Sequence, residues 1–144
     1  MKITDFDIRI NKENVLGLID CKPDSPVYEA VLEDFEEVLP VAYEKLAPSA
    51  LLEFGDISGY DLTEYGDDIR EALFCIESVG SEISTWATSF FYDGNYVKGM
   101  LANAIADDYL FQDVYKRQDS GKKLSRVYGS GYDPGSKRVL SLIF

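Results

Sequence analysis

Apolar positions recur along the chain with more than one period, and each period predicts a different element. From Lys2 to Ile10 apolar and polar residues alternate through Ile3, Phe6, Ile8 and Ile10 with one slip, the pattern of an edge strand. Asn11 is a good N-cap for a short helix carrying Val15, Leu16 and Ile19. After a linker, Ser25-Pro26 sets a capping hydroxyl before a proline at the first helical position. Val27, Val31, Leu32, Phe35, Val38 and Leu39 then recur at spacings of three and four, an amphipathic helix with carboxylates opposite. Pro40 is expected to kink or divide it, with Val41 to Leu46 continuing and Pro48 closing the element.

Ala50 to Phe54 reads as a short strand, and the Gly-, Asp- and Tyr-rich stretch from Gly55 to Gly66 as a loop. The continuous apolar run Ala72 to Ile76 is the pattern of a central strand buried on both faces. Gly80-Ser81 ends it. Ser81 caps a helix reaching about Tyr92 with Ile83, Trp86, Ala87 and Phe90 inward, and Asp93-Gly94-Asn95 makes a turn. Tyr96 to Phe111 is the clearest helix, with Val97, Met100, Leu101, Ala104, Ile105 and Tyr109 along one stripe. So short a turn predicts an antiparallel helix pair. The expected class is α+β, with α/β-like alternation: a mixed, largely antiparallel sheet packed by that pair and by the N-terminal helices. At the end of the chain, Lys123 to Tyr132 has the pattern of a strand leading into a Gly-rich turn. Ser136 begins a helical pattern that stops partway at Phe144, as in a longer natural product.

The length of 144 residues fits one domain. No apolar run reaches the ~18 residues that cross a bilayer, and the N-terminus lacks the basic-then-apolar order of a secretory signal, so a cytoplasmic protein is expected. There is no histidine, which removes imidazole bases, Ser-His and Cys-His pairs and His-ligated metals. Cys21 and Cys75 stand 54 residues apart without a C-x-x-C, so thiolate zinc and thioredoxin-type chemistry go too, and both read as reduced core residues. Neither phosphate-binding glycine motif occurs.

Charge is unevenly distributed. Residues 1–112 hold 23 acidic and 7 basic side chains, a net of −16, whereas residues 113–144 hold 3 and 7, a net of +4. The acidic body repels nucleic acid and anionic membranes, so neither is an expected partner. Most of its carboxylates read as solvated helix faces that confer solubility.

The block Ala72-Leu-Phe-Cys-Ile-Glu-Ser-Val-Gly-Ser-Glu-Ile83, then Gly94-Asn-Tyr96, then Lys98-Gly-Met-Leu-Ala-Asn-Ala-Ile-Ala-Asp-Asp-Tyr109, resembles the activation domain of vitamin B12-dependent methionine synthase in its short stand-alone form. In that family an apolar strand runs into a small-residue turn, a helix, a "G-D-Y" turn and a second helix, matched here by Glu77-Ser-Val-Gly80, Gly94-Asn-Tyr96 and Asn103-Ala-Ile-Ala106. The resemblance covers about residues 2–112 and implies binding of S-adenosylmethionine. It also implies presentation of the methyl group to cobalamin carried by a partner corrinoid protein, with a flavodoxin-type electron donor. The family's ligand loop resembles Arg126-Val-Tyr-Gly-Ser-Gly131-Tyr132, with Ser130 where the family has proline. On that likeness Arg126 clamps the methionyl carboxylate through paired hydrogen bonds, Gly131 opens the backbone to the ligand, and Tyr132 covers the adenosine or faces the corrin. The same stretch also fits a strand followed by an ordinary Gly-rich turn.

Asp113-Val-Tyr-Lys-Arg-Gln118 breaks the helical period, changes the sign of the charge and spells one reading frame of a common transposon-library adapter. On that reading the chain is a metagenomic read in which residues 119–144 are out of context; on the other, the hexapeptide is a basic helix C-terminus. Glu77, directly after the apolar strand, is a candidate ligand residue, or else has a capping or a solvent-facing role. Asp67-Asp68 and Asp107-Asp108 are carboxylate pairs that could bind a hard cation but lack the spacing of a calcium loop, so they read as solvated pairs or helix-end charges, and Tyr60 and Tyr65 as edge-of-core packing or as stacking surfaces for a flat ligand. Two functions survive. One is an S-adenosylmethionine-binding accessory domain without an acid, base or nucleophile of its own; the other is an interaction or scaffold domain that keeps the fold without the ligand.

Overall fold

In the computed structural model the described residues are 2–3, 6–58 and 71–117, with the side chains of residues 3, 71–73 and 113–117 left out. The chain forms two compact units, Met1–Gln112 and Asp113–Phe144. Their boundary falls at the residue where the charge changes sign.

The fold is α+β, with helices packed on an antiparallel sheet. The elements are β1 (Lys2–Ile3), α1 (Lys12–Leu18), α2 (Tyr28–Lys45), β2 (Ser49–Asp56), β3 (Glu71–Ser78), α3 (Glu82–Tyr92) and α4 (Tyr96–Arg117). The strand order is β1-β2-β3; Lys2 pairs with Leu51, and β2 pairs with β3 from Ser49 opposite Ser78 to Asp56 opposite Glu71.

Local chemistry sets the element ends. The Asn11 side chain accepts a 2.9 Å hydrogen bond from the Asn14 N–H, capping α1 as its sequence predicts. At the other end Cys21 N–H donates to the Leu16 carbonyl at 2.9 Å and Asp20 N–H to Gly17 at 3.1 Å, a Schellman pair with Asp20 left-handed at φ 55°. The same motif ends α3: Asn95 N–H donates to Phe90 at 2.8 Å and Gly94 N–H to Phe91 at 3.2 Å, with Gly94 at φ 78°. Side chains avoid that conformation, so the Gly94-Asn-Tyr96 turn depends on its glycine.

Several expectations need correction. The N-terminal strand is two residues long, and Phe6 to Ile10 follow it without regular structure. Ile8 is nevertheless buried and Phe6 stands against Tyr109, so the alternation recorded packing rather than pairing. The long helix begins at Tyr28, because Ser25 to Val27 form a turn closed by Tyr28 N–H on the Ser25 carbonyl at 3.1 Å. Pro40 does not divide α2: it lies on the exposed side, where water can replace the hydrogen bond its ring nitrogen cannot donate. Among the described residues β2, not β3, is the middle strand. An antiparallel sheet needs only one covered face, and Cys75 and Ile76 are exposed, so the apolar run does not mark two-sided burial. Cys75 is therefore no core residue, while Cys21 is half-buried.

The largest core lies among the helices. Val15 and Leu16 of α1, Val31, Phe35, Val38 and Ala42 of α2, Ile83 and Ala87 of α3, and Leu101, Ala102, Ala104, Ile105 and Tyr109 of α4 form one cluster with Ile8 and Val79. Of the stripe expected on α4, Val97 and Met100 fall outside it and are exposed.

Candidate functional site

The candidate ligand residues are not brought together among the described residues. Arg126, Gly131 and Tyr132 lie outside them, as do Asp67-Asp68, Tyr60 and Tyr65. Glu77 is described. It sits near the end of β3, opposite Ala50, and its carboxylate accepts a 3.0 Å hydrogen bond from the Cys75 thiol, which lies on the same face two residues earlier. Glu77 is half-buried, so its charge is neither fully hydrated nor sealed away.

The turn after Glu77 is built closely. Gly80 has φ 83°, and a Cβ there would lie 3.0 Å from the Ala47 side chain. Its N–H donates to the Ser78 hydroxyl at 3.1 Å, while Ala47 N–H donates to the Val79 carbonyl at 2.8 Å. The end of β3 is thereby tied to the segment that leaves α2. Lys45, the last residue of α2, reaches across to Glu82 at 3.0 Å and lies 5.9 Å from the centre of the Trp86 ring. These contacts tie the strand-to-helix turn to the end of α2.

The two adjacent aspartates of α4 separate as their helical spacing requires. Asp107 is exposed and has no hydrogen bond or ion pair among the described residues; partial burial still pushes its carboxyl above the ordinary value. Asp108 is buried, 2% exposed, which corrects the reading of a solvated pair. Its carboxylate accepts from the Asn11 N–H at 2.8 Å, the Asn14 side-chain amide at 3.0 Å and the Gln112 side-chain amide at 2.7 Å. The Gln112 amide also reaches the Arg9 carbonyl at 2.8 Å. A buried carboxylate needs such donors, and here two of the three come from the start of α1. The signal was present in the sequence: Leu101, Ile105 and Asp108 follow the same four-then-three spacing, which puts an acid on a buried stripe.

Lys98, also on α4, lies 2.6 Å from Glu37 and 3.7 Å from Asp34 on α2. The hydrogen bond to Glu37 pushes its ammonium above the ordinary value, outweighing the desolvation that opposes it.

Two of the shallow hollows on the surface of the described residues border α3 and α4. One, of about 410 Å³, lies over α3 among Ser84, Thr85, Thr88, Ser89 and Tyr92. Three of its hydroxyls are already donated within the helix, Thr85 to the Ser81 carbonyl, Thr88 to Ser84 and Ser89 to Trp86. The other, of about 190 Å³, is lined by Ile19, Asp20, Cys21, Val31, Val97 and Met100, among others. Neither reaches Glu77. Among the described residues no three Cys, Asp or Glu side chains gather as a metal would need, and no helix is long and apolar enough to cross a membrane. Comparisons with protein-family models, with curated proteins and with solved structures find no match to this chain.

Proposed function

We propose that the chain is an accessory domain that binds S-adenosylmethionine and supports reductive methylation of a corrinoid cofactor held by a partner protein. The observation that carries this reading is the order of elements through the resembling block. Strand β3 runs into the tight Gly80 turn, α3 follows, the left-handed Gly94 closes a second turn, and α4 completes the unit. That is the order in which the activation-domain family sets its strand, small-residue turn, helix, "G-D-Y" turn and helix.

The half-buried Glu77 carboxylate has the charge and the hydrogen-bond acceptors suited to the ammonium or ribose hydroxyls of such a ligand. Arg126 would pair with the methionyl carboxylate, Gly131 would admit the ligand to the backbone, and Tyr132 would stack on the adenine or the corrin. When bound, S-adenosylmethionine would supply the methyl group and leave as its thioether, and the electron donor would supply the electron that the partner's cobalt needs to take the methyl. The domain itself supplies orientation alone, which suits a chain without histidine. A corrinoid-binding protein and a flavodoxin-type donor are the partners this role calls for.

The second reading is an interaction domain that keeps the fold without the ligand. It is favoured by one observation: the ligand loop carries Ser130 where the family has proline. Calorimetric titration with S-adenosylmethionine separates the two. Accessory function predicts saturable heat that weakens on Arg126→Ala by about 1–3 kcal/mol, the worth of a charged hydrogen bond. Absence of heat at millimolar ligand leaves the interaction domain.

A further inference from the structure

The outer stripe of α4 is unusual for a helix that packs so well on its other side. Tyr96, Met100, Asp107 and Phe111 recur at spacings that place them on one face. Tyr96 is 62%, Met100 43% and Phe111 47% exposed. Beside Met100 lies the hollow of about 190 Å³, walled by Ile19 and Cys21 from the end of α1, Val31 from α2 and Val97 from α4. Val27 on its margin is 56% exposed, and Leu18 on α1 is 49% exposed.

Among the described residues, most of the charges around this apolar strip are acidic. Asp20 lines the hollow, Asp24 lies in the loop between Cys21 and Ser25, which both line it, and Asp107 stands two helical turns, ~10 Å, along α4 from Met100. Lys22 is the cation of the same loop. It lies 3.8 Å from Asp20 with both heads in water, a pair that a partner's cation can displace at little cost. Asp107 has no partner among the described residues, and its partial desolvation is unfavourable in the free chain.

We infer that this strip receives a cationic amphipathic helix of a partner protein, with an aliphatic anchor in the hollow beside Met100 and a lysine or arginine seven positions away on Asp107. The occupant is fixed by complementarity. The strip follows one helix for four turns, which suits a second helix laid along it, and an apolar seam flanked by acids selects an apolar seam flanked by bases. This surface involves none of the residues assigned to S-adenosylmethionine, so it stands or falls separately.

The test uses the full chain and a labelled 14-residue amidated peptide of leucine and lysine in helical register, followed by fluorescence anisotropy. Met100→Lys and Val27→Lys, both exposed positions, should each weaken binding by about tenfold or more through loss of the anchor. Asp107→Asn should weaken it by about three- to fivefold, the range of an exposed ion pair. Glu36→Gln, about 140° around α2 from Val31, should leave it unchanged. A peptide with glutamate in place of lysine should not bind. Equal weakening by Glu36→Gln and Asp107→Asn would mean attraction by net charge alone and overturn the proposal. So would indifference to both lysine substitutions, or light scattering that shows the strip buried between two copies of the chain.

Discussion

The helical layer and the sheet draw on the same residue types and use them differently. In the helical layer Val15, Ile83, Leu101 and Ile105 are fully buried, each 0% exposed, and all four belong to one cluster. In the sheet, Ala50 and Leu52 are buried, but on the opposite face Leu51 and its cross-strand partner Ile76 are 52% and 55% exposed. A helix presents one stripe, and four helices close around theirs; a strand presents two faces, and here one is open and the other, where Phe54 and Cys75 are exposed, only partly covered. Stability therefore resides mainly in the helices.

The sharpest way to break that comparison is to remove a leucine from each side. Leu101→Ala should lower unfolding free energy by about 2–5 kcal/mol, the cost of lost burial plus a cavity. Leu51→Ala should lower it by less than about 1 kcal/mol, because half of the side chain is already in water. Urea titration of both variants measures the contrast, and near-equal losses would show that the sheet carries as much of the fold as the helices.

The helical layer contains a polar element that its apolar stripes do not reveal, and Asp108 is the place to probe it. Asp108→Ala strands the donors of Asn11, Asn14 and Gln112 and should cost about 2–3 kcal/mol, since part of the freed groups can reach water. Hydrogen exchange should show the loss concentrated in α1. Uniform loss across α1 and α3 would mean that the aspartate is not what docks the first helix.

How far the fold could be read from the sequence follows the same division. The helices were legible because their apolar spacing is their packing: the Asn11 cap, the Ile83–Ala87 face of α3 and the Gly94 turn all stand where the pattern sets them. Ser81, by contrast, occupies the cap position of α3 without a side-chain cap hydrogen bond. The strands were less legible. Ala72 to Ile76 has the pattern of a middle strand, and no local property of that run reveals which neighbours flank it. Asp108 was readable in position and misread in character, because an acid beside another acid looks solvated until the donors from residues 11 and 14 are seen. Of the candidate ligand residues Glu77 is described, and Arg126, Gly131 and Tyr132 lie outside the described residues.

The smallest effect expected concerns the other aspartate. Burial raises the carboxyl of Asp107, so the folded chain holds that proton more tightly than the unfolded one. Between the ordinary carboxylate value of 3.8 and the raised folded value, wild type should lose stability as pH rises. Asp107→Asn cannot titrate there. It should match wild type below that window and exceed it above by less than about 0.5 kcal/mol, because the group is exposed and screened. Thermal melts at paired pH values read the difference, and a gain confined to acid pH would reverse the assignment.

The carboxylate that holds the first helix comes from 97 residues further along the chain. During synthesis at about 5–20 residues per second, the start of α1 leaves the ribosome roughly 5–20 s before its anchor does. Throughout that interval Val15 and Leu16 have no α4 to pack against. A nascent chain of this kind is at its most adhesive just before α4 emerges, which is when a chaperone would have most to do.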